Sequence, residues 1–121
     1  MIFIPGNVPS SKNGRSFFRG RSIASASCQK YYKASKTFWE DKENKKKFIA
    51  MCKGKTAPFV VEFTFIRSSR RRFDYINPAQ TVQDLMVKHK WIEDDNADYM
   101  LPVFKQYTYD KDNSGVFITV I

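Results

Sequence analysis

The sequence is poor in the residues that build metal centres and catalytic dyads. Its 121 residues include two cysteines, Cys28 and Cys52, and one histidine, His89. Two cysteines so far apart do not make a zinc site, and nothing around the single histidine gives a Ser-His-Asp or Cys-His arrangement. The two thiols are therefore expected to be reduced, as in a cytoplasmic protein, with a disulfide as the alternative.

Long apolar runs and glycine-rich loops are missing as well. No window of 18 apolar residues occurs, so no membrane-spanning segment is predicted. The opening MIFIPGNVPSS lacks the basic and apolar parts of a signal peptide. The five glycines form no phosphate-binding loop, and no repeat divides the chain. We therefore expect one cytoplasmic domain over residues 1–121, without a membrane partner and large enough to fold without a disulfide or metal.

Negative charge is scarce and unevenly placed. The chain has 21 Lys and Arg against 12 Asp and Glu, which gives a net charge of +9. Residues 1–57 hold thirteen of the basic residues and only three of the acidic ones. This excess favours a polyanionic partner. Nucleic acid is preferred to an anionic membrane because the basic stretch has no clean apolar stripe; ordinary solubility charge is the alternative.

The first half of the chain predicts a strand, a hairpin and a long helix. The strand is IFI near the start, and VPSSKNG after it reads as a loop. SFFRGRSIA predicts a small hairpin that turns at Arg19 and Gly20. A helix is then expected from a cap at Ser25 or Ser27 to about Lys53.

The second half predicts a strand, a helix and a closing hairpin. FVVEFTFI is rich in β-branched and aromatic residues, as strands are. Asn77 is expected to cap the next helix, which buries Val82, Leu85 and Met86 at helical spacing. The last two strands are predicted to pair around KDNSG. The expected fold is α+β, with a mixed or antiparallel sheet of about four main strands flanked by two helices.

Acidic residues gather in two places near an arginine run. RRRFDYIN places Asp74 at the entry of the second helix, and WIEDDNAD places Asp94 and Asp95 after its end. The ends of a helix of about twelve residues lie roughly 18 Å apart, so Asp74 and Asp95 can meet only if the chain after Trp91 folds back. Carboxylates brought together in this way suit Mg²⁺, and adjacent arginines suit phosphates. A solvated turn with local hydrogen bonds is the alternative for EDDNAD.

The order of these motifs resembles the RusA-type Holliday junction resolvases, small phage endodeoxyribonucleases. PSSKNGRSFFRGRSIAS resembles the loop and basic hairpin of the family, and FDYIN followed by QDLMVKHKWIEDD resembles its core motif. The resemblance implies a RusA-like α+β fold and a homodimer. It also implies a requirement for Mg²⁺, with Mn²⁺ as a substitute, and paired nicking of four-way DNA junctions in recombination or repair.

The resemblance also implies roles for individual residues. Asp74, Asp95 and Asn77 take catalytic positions, and Asp74, Asp95 and Asp94 are the implied metal ligands. Ile76 and Gln80 stand where the family has an aspartate and a lysine. The expected DNA contacts are basic residues of the arginine run, the N-terminal hairpin and the second helix: Arg70, Arg71, Arg72, Lys12, Arg15, Arg19, Arg21 and Lys88.

Ile76 and Gln80 leave three hypotheses open. The leading one is a Mg²⁺-dependent endonuclease, in which Asp84, Asp94 or Asp98 replaces the missing ligand. The second is a junction-binding protein of the same fold without useful nuclease activity. The third is a nucleic-acid-binding domain with no preference for junctions.

Overall fold

The computed structural model describes residues 1–10, 15–18, 21–24 and 26–121, and for 15–18 and 21–24 it describes the backbone only. Its strands, in chain order, are β1 (Ile2–Pro5), β2 (Arg15–Phe18), β3 (Arg21–Ala24), β4 (Phe59–Arg67), β5 (Met100–Phe104), β6 (Thr108–Tyr109) and β7 (Gly115–Val120). Its helices are α1 (Ala26–Trp39), α2 (Lys42–Cys52) and α3 (Ile76–Lys88). The predicted α+β class is confirmed.

The main sheet has five strands and mixed directions. Its order is β1-β7-β4-β5, and β6 pairs with the far end of β4. Strands β5 and β6 run parallel to β4, whereas β7 runs antiparallel to both β1 and β4. A parallel neighbour needs a crossover, and α3 supplies the one between β4 and β5. The predicted closing hairpin is wrong, because β4 lies between β5 and β7.

The N-terminal hairpin forms where the sequence predicts it. Strands β2 and β3 pair antiparallel as a separate two-stranded sheet, with Phe18 opposite Arg21. The predicted turn at Arg19 and Gly20 lies outside the described residues, as does the proposed cap Ser25.

The single long helix predicted up to Lys53 is wrong, since two helices occupy that stretch. Helix α1 ends at Trp39. Asp41 caps α2 by accepting a hydrogen bond from the Glu43 amide (2.8 Å). Asp is a favoured N-cap because its side chain competes with the continuing helix for backbone donors. The described part of the chain thus has three helices rather than two.

The hydrophobic core lies on one face of the main sheet. Alternate residues of β1, β4 and β7 are buried there, including Ile4, Phe63 and Ile118, each 0% exposed. The helices cover this face, and α3 contributes the predicted Val82, Leu85 and Met86. None of the helices in the described residues is long and apolar enough to cross a membrane.

Candidate functional site

A cleft of about 480 Å³ opens where β4 ends and α3 begins, and we call it the arginine cleft. The basic run Arg70–Arg72 follows the nine-residue strand β4 and precedes the start of α3. Polar and charged side chains dominate its lining: Asn7, Ser10, Arg67, Ser69, Arg71, Arg72, Phe73, Asp74, Asn77 and Pro78.

Arg67 is the half-buried cation of the arginine cleft. Its guanidinium donates a hydrogen bond to the Val8 carbonyl and lies 4.6 Å from the centre of the Phe73 ring. Burial lowers the pKa of Arg67 from its ordinary value, although an arginine stays protonated at neutral pH. The ion pairs found among the described residues all involve lysines. Arg67 therefore has no ion-pair partner among the described residues.

The N-terminal loop is fastened to the same place by two side-chain hydrogen bonds. The Ser68 amide donates to Asn7 Oδ1 (3.0 Å), and Thr81 Oγ1 of α3 donates to the Pro9 carbonyl (2.7 Å). Val8 between them is buried, at 1% exposed. These contacts hold Asn7 and Ser10 against the cleft, immediately before the N-terminal hairpin.

The arginine run divides between two surfaces. Arg71 and Arg72 are exposed and line the arginine cleft. Arg70 instead lies over the ring of Tyr109 in β6, 4.3 Å from its centre. The structure therefore brings two of the three predicted arginines together and adds Arg67, which the prediction missed.

Asn77 lies inside α3 and does not cap it. The helix begins at Ile76, the capping position is Tyr75, and Tyr75 makes no side-chain capping bond. The Asn77 amide donates to the Asp74 carbonyl (3.1 Å), so Asp74 and Asn77 sit together at the mouth of the cleft. The prediction that Asn77 caps the helix is wrong.

The chain reverses direction at the C-terminal end of α3. Lys90 adopts a left-handed backbone conformation (φ 62°), and its amide donates to the Val87 carbonyl. The Trp91 amide donates to the Met86 carbonyl, which completes the hydrogen-bond pattern of a Schellman motif. The buried Trp91 ring then packs against Trp39 at a centroid distance of 5.1 Å. This turn sends the following residues back along the helix.

Asp95 consequently reaches the second turn of α3. Gln80 Nε2 donates to Asp95 Oδ2 (3.0 Å) and also to Asp84 Oδ1 (2.8 Å). We call Gln80, Asp84 and Asp95 the carboxylate group. Asp95 can approach Asp74 only if the chain after Trp91 folds back along α3, and the chain does fold back. The resulting neighbour of Asp95 is Gln80, the residue at the lysine position of the resemblance.

Asp94 makes local contacts. Its carboxylate accepts hydrogen bonds from the Asp95 amide (2.7 Å) and from Asn96 Nδ2 (3.0 Å). Asn96 Oδ1 in turn accepts from the Asp98 amide (2.9 Å). The alternative of a turn with local hydrogen bonds is confirmed for Asp94, Asn96 and Asp98, whereas Asp95 points to α3.

The carboxylate group offers oxygen ligands of the type that Mg²⁺ prefers. Asp84 and Asp95 each place an oxygen within 3.0 Å of the Gln80 Nε2 nitrogen. Over the residues that the structure describes, no three acidic, histidine or cysteine side chains converge on one point. Mg²⁺ commonly binds through one or two carboxylates together with substrate phosphates.

Asp74 belongs to the arginine cleft, while Asp95 belongs to the carboxylate group. No hydrogen bond or ion pair joins these two residues in the described structure, and a metal shared between them stays a prediction. Lys88 lies at the other end of α3, in a groove against α1. Arg15 and Arg21 begin β2 and β3, but their side chains, with Lys12 and Arg19, lie outside the described residues.

Arg67 and Asn7 were not predicted as members of these sites, whereas Asp84 was predicted only as one possible replacement ligand. Arg67 ends an apolar strand, and its half-burial could not be seen in the sequence. Asn7 carried no signal either, since its role depends on a contact with Ser68.

A scan against models of known protein families and a search of curated proteins both found no match to this chain. The assignment of a function therefore rests on the residues and geometry of the chain itself.

Proposed function

We propose that this protein binds branched DNA through the arginine cleft, whose cations contact backbone phosphates. One observation carries the proposal: Arg67 is half-buried, carries no ion pair within the described residues, and faces an open cleft together with Arg71 and Arg72. An arginine guanidinium matches the geometry of a phosphate with two parallel hydrogen bonds. A phosphate in the cleft would supply the anion that Arg67 lacks.

The charge distribution supports the same proposal. The thirteen basic residues of positions 1–57 include those of the N-terminal hairpin, which follows directly after the loop held at the cleft. Long-range attraction between such a surface and DNA raises the rate of association. Lys12, Arg15, Arg19 and Arg21 are the proposed contacts with the arms of the DNA.

A second candidate function is Mg²⁺-dependent nicking of four-way junctions. The observation in its favour is the carboxylate group, which lies one turn of α3 beyond Asn77 of the cleft. Asp84 and Asp95 would hold the ion, with Asp74 contributing from the cleft side. A bound Mg²⁺ would activate water and stabilise charge at the phosphate. Arg71 and Arg72 would hold the flanking phosphates, and Asn77 would orient a ligand.

Gln80 and Ile76 make binding the stronger of the two proposals. Gln80 satisfies both carboxylates by hydrogen bonds but brings no positive charge. Ile76 is 68% exposed and can neither ionise nor bind a metal. We propose a homodimer, because symmetric nicks or symmetric binding of a junction need two copies of the site. Its proposed location is the cytoplasm. Light scattering should report twice the chain mass of 14.2 kDa.

Binding and cleavage of a synthetic four-way junction test both candidates in one experiment. We expect the junction to compete far better than linear duplex of equal length. Nicks that appear only with Mg²⁺ or Mn²⁺ would establish the nuclease, whereas tight binding without nicks would establish the binding protein. Equal affinity for junction and duplex would leave a general nucleic-acid-binding domain, and no binding to either would overturn the proposal.

A further inference from the structure

The exposed side of α3 carries a polar stripe from one end of the helix to the other. Asn77, Gln80, Asp84 and Lys88 are spaced three or four residues apart, so they lie on one face. Asn77 lines the arginine cleft at one end. Gln80 and Asp84 meet Asp95 in the middle.

The far end of the stripe opens into a groove between α1 and α3, which we call the lysine groove. It has a volume of about 350 Å³ and contains three lysines and the single histidine of the chain: its lining is Gln29, Tyr32, Lys33, Lys36, Leu85, Lys88 and His89. Lys36 lies 3.8 Å from Glu40, with both side chains more than half exposed. An exposed pair at that distance neutralises little of the lysine charge in water.

Charge therefore alternates along α3 in the order positive, negative, positive. Asn77 and Lys88 are separated by about 16 Å at 1.5 Å per residue. This spacing suits one DNA strand whose phosphates contact cations at both ends of α3. Between these ends the strand would pass the carboxylate group.

We propose that the lysine groove is a second phosphate-binding site, and that a bound DNA strand runs along α3 from the arginine cleft to Lys33, Lys36 and Lys88. This inference rests on the proposed function and adds the path that the DNA strand takes on the protein surface. A phosphate above the carboxylate group would be repelled by Asp84 and Asp95 unless a cation lies between them. The two basic ends hold the strand against that repulsion.

His89 lines the lysine groove, and its pKa depends on the charges there. Burial lowers the pKa of His89 below its ordinary value, and the charge of Lys88 lowers it further. Glu40 opposes this shift and Lys36 adds to it. Phosphates bound among these lysines would cancel part of the positive field, so the pKa of His89 should rise when DNA binds. Because the chain has one histidine, its imidazole proton signals in an NMR spectrum are unambiguous.

The experiment is an NMR titration of His89 against pH, with and without a saturating four-way junction. We expect the junction to raise the pKa of His89 in the parent protein, and we expect no such rise in Lys33→Gln/Lys36→Gln. That variant should also bind the junction roughly 10-fold more weakly, with a log–log salt slope smaller by about 2. The matched control is Lys46→Gln/Lys53→Gln, because these lysines line a separate groove around Ile49. The control should behave as the parent does.

Two outcomes would overturn the inference and can be told apart. If the junction binds in a manner that depends on Arg71 and Arg72 but leaves the pKa of His89 unchanged, the strand does not enter the lysine groove and the proposed function stands. If the junction does not bind at all, both the inference and the proposed function are wrong.

Discussion

The arginine cleft and the carboxylate group lie one helical turn apart on α3, yet they are built very differently. The cleft contains a half-buried cation and is braced by two hydrogen bonds, one that Asn7 accepts from the Ser68 amide and one that Thr81 donates to the Pro9 carbonyl. In the carboxylate group Gln80 and Asp84 are exposed and Asp95 is partly buried, and a neutral amide from Gln80 joins the two acids. One region is held by contacts between distant segments of the chain, whereas the other depends on a single side chain.

This difference indicates that binding and cleavage respond to different changes in the chain. Arg67, Arg71 and Arg72 offer anion-binding groups as they stand. Asp84 and Asp95 would need a cation, or a charged replacement for Gln80, before they could act on a phosphate. Variants in one region therefore test whether the other region is affected.

The largest effect is expected from Arg71→Gln/Arg72→Gln. The variant keeps polar side chains, although shorter ones, and removes two charges from the arginine cleft. Hydrogen bonds to charged groups contribute about 1.5–3 kcal/mol each, so junction affinity should fall by about 10²-fold or more. Fluorescence anisotropy with a labelled junction measures this, and Lys46→Gln/Lys53→Gln again serves as the charge-matched control. An affinity loss no larger than that of the control would contradict the cleft as the binding site.

Asp74→Asn and Asp95→Asn should affect cleavage and spare binding. Each removes a negative charge from the candidate metal ligands, so nicking in Mg²⁺ should fall by about 10²-fold, since a metal ion contributes several kcal/mol at the transition state. Junction binding should be retained or tighten because repulsion of phosphates is relieved. Equal loss of nicking and binding would indicate that these residues support the fold.

The double change Ile76→Asp with Gln80→Lys should increase nicking. It restores the two residues that the family resemblance implies: a carboxylate at position 76 and an ammonium at position 80, whose amide now contacts Asp84 and Asp95. A gel assay of junction nicking with Mg²⁺ compares the double variant with the parent and with Gln80→Lys alone. A parent that binds without cutting, beside a double variant that cuts, would show that the parent is a binding protein. No gain in the double variant would argue against a catalytic role for this surface.

Lys90→Gly should stabilise the fold. Lys90 has a φ of 62°, and the left-handed conformation costs an L-residue about 1–2 kcal/mol that glycine does not incur. The free energy of unfolding should rise by about 1 kcal/mol, as measured by urea denaturation. Lys90→Val is the control and should lower it, because a β-branched residue tolerates this conformation poorly. Equal stability of both variants would mean that the Schellman turn does not set the path of the chain.

The smallest effect concerns pH. The pKa of His89 is lowered in the folded state, so the unfolded chain binds the proton more tightly. The contribution of His89 to stability should be complete above pH 6.5 and should be lost as pH falls from 6.5 through the lower folded value. Chemical denaturation between pH 7 and 5 measures the slope, and His89→Gln should flatten it. An unchanged slope in His89→Gln would assign the effect to other groups.

Local patterns predicted the parts of the fold that depend on local sequence. The spacing of Val82, Leu85 and Met86 predicted α3, and the residues of β4 predicted a strand, because periodicity and propensity act within one element. The pairing of β7 with β1 and β4 joins distant segments, so the sequence offered only adjacency as a guide, and that guide was wrong.

In the candidate site, too, residues close together in the chain could be predicted, whereas contacts between distant segments could not. Arg71, Arg72 and Asp74 could be predicted because they are neighbours in the chain. The contact between Gln80 and Asp95 could not, because it depends on a Schellman turn at Lys90, a position where glycine is the usual signal. Arg67 was missed because its importance comes from burial against Val8 and Phe73.

The salt dependence of junction binding tests the central claim most directly. If the arginine cleft and the basic N-terminal surface contact six or more phosphates, a plot of log affinity against log salt should have a slope near −5. Arg71→Gln/Arg72→Gln should reduce the magnitude of that slope by about 2. A flat plot for the parent, or the same slope in parent and variant, would contradict the account.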